Sequence, residues 1–217
     1  LITVYFKKKV ALIFGISGQD GIYLSKLLID KNYIVIGTSR IKRNKISDFK
    51  KVGITKKINI HKINPQNKKE VQKIIKLTRC NEIYYFSGIS SVSYSFKHPE
   101  ETIIANTRGI INILESCRMI SKKIKIYNAS TGECFGSSKK SFNENSTFLP
   151  NSPYALSKTI NSYIVKNYRD NLGMWVVNGF SFNHDSPLRP KNYILKKISN
   201  YVKIKSKKKL EVGNINI

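Results

Sequence analysis

A glycine-rich loop near the N-terminus constrains the fold of this chain more than any other feature. The apolar run 9–14 (KVALIF) is typical of a buried strand, and Gly15, Gly18 and Gly21 follow it directly. The apolar-periodic stretch 22–29 comes next and predicts a helix. A strand, a glycine loop and a helix in this order form the fingerprint of a dinucleotide-binding unit, in which the helix N-terminus receives a pyrophosphate.

Strand-like and helical segments alternate along the rest of the chain. This alternation predicts the α/β class, with a doubly wound parallel sheet between helices. Ligands of such sheets bind at the carboxyl ends of the strands, so the polar clusters there form the candidate site. Further strands are predicted at 33–38, 57–61, 82–87, 123–129 and 174–180, and helices at 68–77, 99–119, 153–171 and 193–204.

A tyrosine and a lysine at a spacing of four residues mark the candidate chemistry. Ser152 and Pro153 are typical of an N-cap and a first helical position, which places Tyr154 in the first turn of a helix. Tyr154 and Lys158 then project from the same helical face. The ammonium group would lower the pKa of the phenol from about 10 and make it a usable general acid/base. The pair also occurs by chance on surface helices, so its meaning depends on the glycine loop.

The segment 128–136 (NASTGECFG) carries further polar groups after the fifth predicted strand. We expect Ser130, Thr131 and Glu133 to lie over the edge of the sheet and to face the helix of Tyr154. A hydroxyl there can hydrogen-bond the substrate hydroxyl that Tyr154 deprotonates, and a carboxylate supplies a second base. A capped turn would explain Ser130 equally well, whereas Glu133 stands out in a chain with only 13 acidic residues.

The end of the second predicted strand indicates which dinucleotide would bind. Ser39 and Arg40 lie about 20 residues after the glycines, where NAD-binding proteins usually carry an acid for the ribose hydroxyls. No Asp or Glu occurs between Asp30 and Asp48. Hydroxyls and a guanidinium suit a ribose 2′-phosphate, so the sequence favours NADP over NAD. The alternative is a solvated arginine in a lysine-rich loop.

The formal net charge of +26 is of the kind that nucleic-acid-binding proteins show. The lysines are scattered along every segment, however, and no aromatic-basic recognition motif accompanies them. We therefore interpret the charge as a compositional bias and expect no nucleic-acid partner. Three cysteines without a C-x-x-C pair predict neither disulfides nor a metal site. No apolar run is long enough for a membrane span, which favours a cytoplasmic protein without a membrane partner.

Four segments together carry a family resemblance. They are 11–24 (ALIFGISGQDGIYL), 128–136 (NASTGECFG), 152–158 (SPYALSK) and 177–189 (VNGFSFNHDSPLR). At these positions the chain resembles the extended short-chain dehydrogenase/reductases, and within them the GDP-mannose 4,6-dehydratase family. The resemblance implies an NADP-binding Rossmann-like domain, GDP-mannose as the small-molecule substrate, and a homo-oligomer (dimer or tetramer) at full length.

The resemblance also implies a mechanism. Tyr154, assisted by Lys158 and Thr131, would take the proton of the mannose 4-hydroxyl while a hydride passes to NADP. Glu133 would remove the proton of carbon 5 and help to expel the 6-hydroxyl as water, and the hydride would return to carbon 6. The product would be GDP-4-dehydro-6-deoxy-mannose. Cofactor contacts are implied at Gly15, Gly18, Gln19, Asp20, Gly21, Arg40, Ser90, Lys158, His184 and Arg189.

The domain organisation follows from the same resemblance. Residues 1–190 would form the NADP-binding Rossmann domain, and residues 191–217 would begin a smaller substrate-binding domain, because family members continue well beyond Ile217. The chain also begins with Leu1 instead of Met. We therefore expect a fragment or a truncated gene product.

Two other functions remain open from the sequence. One is a nucleotide-sugar epimerase or reductase of the same superfamily, in which an ordinary reductase needs only Tyr154 and Lys158. The pair Thr131 and Glu133 and the segment around His184 count against it. A catalytically inactive module that binds NADP as a structural or sensing ligand is favoured by the missing C-terminal part and by two cofactor loops that depart from the family pattern, at Asn64-Pro65 and at 88–91 (GISS). The intact set of predicted catalytic residues opposes that second function.

Overall fold

The computed structural model describes residues 8–40, 46–137, 141–191, 193–204 and 210. The chain forms two compact units, residues 1–182 and 183–217. The predicted boundary at residue 190 concerns a substrate-binding domain and remains a prediction. Much of the predicted segment 191–217 lies outside the described residues.

The first unit is built on a six-stranded parallel sheet with the strand order β3-β2-β1-β4-β5-β6. Successive strands are added on one side from β1 to β3 and on the other side from β4 to β6, so the direction of winding reverses between β1 and β4. This topology confirms the predicted α/β fold with a doubly wound parallel sheet. The strands are β1 (Val10–Phe14), β2 (Ile34–Ser39), β3 (Ile58–Lys62), β4 (Glu82–Tyr85), β5 (Lys125–Thr131) and β6 (Val176–Ser181).

Helices connect the strands, and most of them were predicted. Two helices of six residues each, Ile46–Lys51 and Val92–Lys97, were missed, because fewer than two turns show no apolar period in the sequence. Short 3₁₀ helices cover Thr55–Lys57 and Gly132–Phe135. The α-helices are α1 (Gln19–Asp30), α2 (Ile46–Lys51), α3 (Lys68–Thr78), α4 (Val92–Lys97), α5 (Pro99–Ile120), α6 (Pro153–Leu172) and, in the second unit, α7 (Ile194–Lys203).

The core of the first unit lies between the sheet and the helices α3, α5 and α6. Leu12 and Phe14 of β1 belong to this core together with apolar residues of those helices. Ala11 and Ile13, which point to the opposite face of the strand, are also fully buried. Strand β1 is therefore covered on both faces, as expected for the central strand of a parallel sheet. The free cysteines Cys80, Cys117 and Cys134 are buried as well.

Two element boundaries differ from the predicted ones, and both bear on the site. Helix α1 begins at Gln19, three residues earlier than predicted, so that Gly21 lies inside its first turn. Strand β5 continues to Thr131 because Ser130 and Thr131 pair with the end of β6. The two hydroxyl residues are thus fixed in the sheet instead of hanging over its edge, and they point to opposite faces.

Among the described residues, no helix is both long and apolar enough to span a membrane. The same part of the chain contains no group of three or more His, Cys, Asp or Glu side chains that could hold a metal ion.

Candidate active site

The glycine loop between β1 and α1 needs its glycines because backbone passes close to backbone there. Gly15 has a φ of +83°, and a Cβ at this residue would lie 2.8 Å from the amide nitrogen of Ser87. A Cβ at Gly21 would lie 2.7 Å from the carbonyl oxygen of Gly15. The amides of Gly15 and Ile16 both donate to the carbonyl of Thr38, at 3.1 and 3.3 Å. The loop is therefore held against both β2 and the segment after β4.

The N-terminus of α1 has the properties of an anion site. Its N-cap is Gly18, which has no side chain that could accept hydrogen bonds from the amides of the first turn. Gln19 and Asp20 form this first turn and are half-buried. First-turn amides and the positive end of the helix dipole together favour a bound phosphate group.

A cleft of about 370 Å³ opens beside this loop, at the carboxyl ends of β1 to β4. It lies where the strand order reverses, which is the position at which doubly wound folds bind their ligands. The residues after β4 contribute one wall, and Ser90, next to Ile89 of this wall, is exposed. The cleft is lined by Gly15, Ser17 and Gly18, by Ser39 and Arg40, by Asn64, Pro65 and Gln66, by Tyr85, Phe86, Ser87, Gly88 and Ile89, and by Ala105 of α5.

The end of β2 brings hydroxyl groups and a guanidinium to this cleft. The hydroxyls of Ser17 and Ser39 lie 3.3 Å apart, and Arg40 follows directly. Arg40 also lines a second cleft of about 320 Å³, next to the end of β3. The donors at this end of the site are thus hydroxyl and guanidinium groups, as the sequence predicted.

Helix α6 begins against the carboxyl end of β5. The hydroxyl of Ser152 accepts a hydrogen bond from the amide of Ala155 at 3.1 Å, which caps the helix as predicted. Lys158 Nζ donates to the carbonyl of Ala129 at 2.9 Å, and the hydroxyls of Ser130 and Ser162 lie 2.9 Å apart. Contacts one turn apart therefore fix the face of α6 that carries Lys158 and Ser162 against the last residues of β5.

Tyr154 and Lys158 are both nearly inaccessible to solvent, with 9% and 7% of their surface exposed. Burial lowers the pKa of Lys158 from its ordinary 10.5 to about 8, and the nearby Cys134 acts in the opposite direction. An ammonium at this position is therefore poorly solvated and interacts strongly with any neighbouring negative charge.

Thr131 and Glu133 lie at the end of β5, in the turn that leads away from the sheet. The Thr131 hydroxyl accepts a hydrogen bond from the Glu133 amide at 3.3 Å and caps the 3₁₀ helix Gly132–Phe135. Both side chains are partly exposed. The structure thus places Thr131 and Glu133 at and just after the end of β5, and Tyr154 and Lys158 in the first two turns of α6, which contacts β5 through Lys158 and Ser162. Ser130 has its hydroxyl bonded to α6, which agrees with the alternative of a structural role.

His184 and Arg189 belong to the second unit. His184 is exposed. The Arg189 side chain lies 3.7 Å from the Asp185 carboxylate, and its guanidinium carbon is 4.2 Å from the centre of the Tyr193 ring. Their roles in cofactor binding remain predictions.

Asn106 of α5 is a site residue that sequence reasoning missed. Its Oδ1 accepts a hydrogen bond from the Ile89 amide at 2.8 Å, and its Nδ2 donates to the Ser157 hydroxyl at 2.8 Å. The side chain is completely buried and links the cleft wall after β4 to the residue that precedes Lys158. A signal was available, because Asn106 lies four residues after Thr102 and three before Gly109, on the buried face of α5.

Fold and site together define a class, the Rossmann domains of the short-chain dehydrogenase/reductase type. A family model described as GDP-mannose 4,6 dehydratase matches residues 12–217, and the chain belongs to this family.

Curated relatives show the same family over almost the whole chain. The GDP-mannose 4,6-dehydratase of Sinorhizobium fredii (strain HH103) is 36% identical, with 96% of this chain and 63% of that protein covered. For GDP-mannose 4,6 dehydratase 2 of Arabidopsis thaliana the identity is 34%, with 98% and 61% covered. The GDP-mannose 4,6 dehydratase of Drosophila melanogaster is 35% identical, with 97% of this chain and 56% of that protein covered. The chain thus spans about three fifths of the length of these relatives.

Solved structures share the fold at low identity. A dTDP-glucose 4,6-dehydratase from Streptomyces venezuelae with NAD and TYD bound has a TM-score of 0.80 at 19% identity, with 90% of this chain and 62% of that chain covered. A UDP-N-acetylglucosamine 4-epimerase from Methanobrevibacter ruminantium M1 has a TM-score of 0.81 at 20% identity, with 92% and 64% covered. Dehydratases and epimerases are both among these neighbours, so the fold alone does not separate the two activities.

Proposed function

We propose that this chain carries the NADP-binding and catalytic part of a GDP-mannose 4,6-dehydratase. The observation that carries this proposal is the buried Lys158, which lies one helical turn after Tyr154 and is hydrogen-bonded to β5, with Glu133 two residues after the end of that strand. Membership of the family supports GDP-mannose as the substrate. An epimerase or reductase would have no use for a carboxylate at Glu133.

The residues of the cleft fit a dinucleotide. The backbone of the glycine loop leaves no room for side chains at Gly15 and Gly21, and the first turn of α1, which contains Gln19 and Asp20, suits a pyrophosphate. The guanidinium of Arg40 and the hydroxyl of Ser39 suit a ribose 2′-phosphate, which favours NADP. We assign Gly18, Ser90, Lys158, His184 and Arg189 to the same cofactor on the strength of the family resemblance.

The proposed chemistry needs two bases. NADP bound in the cleft would supply the oxidant for carbon 4 of mannose and, with the same hydride, the reductant for carbon 6. Tyr154 removes the proton of the 4-hydroxyl, and the ammonium of Lys158 stabilises the phenolate that this step requires. Thr131 holds the same hydroxyl by a hydrogen bond. The ketone formed at carbon 4 acidifies carbon 5, so that Glu133 takes the carbon 5 proton and passes it to the departing 6-hydroxyl, which leaves as water and gives a 5,6-alkene. When the hydride returns to carbon 6, Tyr154 gives carbon 5 the proton that it took from the 4-hydroxyl, so that both bases regain their starting protonation.

Turnover of GDP-mannose by the purified chain in the presence of NADP tests the proposal. We expect a product that has lost the mass of one water. Tyr154→Phe and Glu133→Gln should each lower the rate by about 10²–10⁴-fold, the usual contribution of a general acid/base. Glu144→Gln, which changes an exposed carboxylate in the loop before α6, is the matched control and should leave the rate unchanged.

Other outcomes would contradict parts of the proposal. A product with the mass of the substrate, formed equally well by Glu133→Gln, would indicate an epimerase. Absence of turnover with intact NADPH binding would indicate an inactive binding module, and absence of any dinucleotide binding would contradict the cofactor assignment.

The family resemblance extends the proposal to assembly. We infer a homo-oligomer that acts in the cytoplasm, without a nucleic-acid or membrane partner. Exposed apolar side chains on the two long helices support self-association, because exposed apolar area is typical of interfaces. These side chains are Ile104 and Ile111 of α5 and Leu156 and Tyr163 of α6. Sedimentation velocity that shows only monomers at micromolar concentration would contradict the proposed homo-oligomer.

A further inference from the structure

We propose that Lys62 is a second cationic contact for the 2′-phosphate of NADP and that it contributes to the preference for NADP over NAD. This inference rests on the proposed cofactor. It concerns a residue that none of the sequence motifs includes.

The pairing of β2 and β3 places Lys62 beside the residue that precedes Arg40. In the parallel register of these strands, Ser39 lies opposite Lys62. The ladder continues one step further, because the Ile63 amide donates to the Ser39 carbonyl at 3.2 Å. Lys62 is thus fixed at the carboxyl end of β3, where the ligand-binding edge of a parallel sheet lies.

Arg40 and Lys62 line the same cleft. Its volume is about 320 Å³, and it shares Arg40 and Asn64 with the larger cleft beside the glycine loop. A phosphate on the ribose of a nucleotide in the larger cleft would therefore approach both a guanidinium and an ammonium group. The two cations differ in geometry, since the arginine offers a planar fork and the lysine a point charge.

A carboxylate in the same cleft has to be weighed against the two cations. Glu70 lines the cleft, but its oxygens accept hydrogen bonds from the Asn64 amide at 2.8 Å and from Asn67 Nδ2 at 3.0 Å. Both donors belong to the loop that follows β3, and their hydrogen bonds partly offset the negative charge of Glu70. Two cations against one bonded anion leave the cleft positive, which suits the doubly charged 2′-phosphate.

The test compares NADPH and NADH binding by fluorescence titration of the whole chain and three variants. Lys62→Ala should weaken NADPH binding about tenfold, the usual value of a charge-assisted contact, and leave NADH binding unchanged. Lys62→Arg should retain most of the preference. Lys57→Ala is the matched control, because it removes the same charge at the opposite end of β3, about 16 Å away and beyond the screening length.

The outcomes separate this inference from the proposed function. If the parent chain prefers NADPH and Lys62→Ala leaves the ratio of the two dissociation constants unchanged, the role of Lys62 is wrong and the cofactor assignment stands. If Lys57→Ala weakens NADPH binding as much as Lys62→Ala does, the effect is one of net charge and the inference is again wrong. A parent chain that binds neither nucleotide, or prefers NADH, would overturn the NADP assignment itself.

Discussion

At the scale of single residues, burial decides the protonation of Lys158. The ammonium lies inside the first unit with a carbonyl as hydrogen-bond acceptor, and burial lowers its pKa to about 8. A general consequence is that folding must remove this charge from water, which costs stability for as long as the lysine is protonated. The same desolvation strengthens its effect on a nearby phenolate.

The stability of the chain should therefore depend on pH through Lys158. Between about pH 8 and pH 10.5 the unfolded chain binds more protons at this site than the folded chain, so the free energy of unfolding should gain a rising contribution over this window. Lys158→Met lacks this contribution. Chemical unfolding at pH 7 and pH 10 should show the parent gaining stability relative to the variant, and a constant difference would rule out the shifted pKa.

The glycines of the loop give a second residue-scale prediction. A Cβ at Gly21 would lie 2.7 Å from backbone atoms, whereas one at Gly18 would meet the Gly15 carbonyl oxygen at 3.3 Å. Gly21→Ala should thus lower the free energy of unfolding by about 1–3 kcal/mol and abolish NADPH binding, because backbone must move. Gly18→Ala should be clearly milder. Equal effects in thermal melts and titrations would count against close packing as the reason for the glycine.

At the scale of elements, α5 and α6 are joined by a bridge on the side remote from the cleft. The Glu115 carboxylate accepts hydrogen bonds from Arg118 at 2.8 and 2.9 Å and from the Tyr168 hydroxyl of α6 at 2.7 Å. These donors, Arg118 first, lower the pKa of Glu115 to about 2. The two helices are thereby joined both near their C-terminal ends and, through Asn106 and Ser157, closer to the cleft.

This bridge should stabilise the fold above about pH 4.5 and lose its effect as the pH falls towards 2, because the pKa of Glu115 is lower in the folded chain than in the unfolded chain. Glu115→Gln should be less stable than the parent at pH 7, and the difference should shrink in urea unfolding at pH 3. Asp30→Asn, which breaks an exposed pair with Lys26, is the control and should change stability by less than about 0.5 kcal/mol. Equal losses in both variants would contradict a special role for Glu115.

At the scale of the whole molecule, the sequence predicted the fold well and the site in part. Apolar runs and glycines identified all six strands, because a doubly wound sheet repeats one simple unit. The pair Tyr154 and Lys158 was visible because both residues lie on one helix. For Asn106 the sequence showed only a place on the buried face of α5, and for Lys62 it showed nothing, since the contacts of Asn106 across elements and the strand register of Lys62 are not contained in a linear pattern.

The net charge of +26 gives a whole-molecule prediction. If the lysines are a compositional bias, an RNA oligonucleotide should bind only at low salt and without sequence preference, because such binding comes from released counterions. Binding measured by fluorescence anisotropy should fall by orders of magnitude between about 50 and 200 mM salt. Nanomolar binding that persists at 200 mM salt would contradict the assignment of no nucleic-acid partner.

The central position of β1 also determines when the sheet can be completed during synthesis of the chain. In the described part of the chain β1 is synthesised before the other strands, and one of its edges stays open until β4 is made, because Ala11 pairs with Glu82. The glycine loop likewise lacks its second wall until Ser87 arrives. A nascent chain shorter than this exposes an unpaired apolar strand, the kind of edge that recruits chaperones or aggregates. The proposed nucleotide site is thus complete only after both halves of the sheet have met.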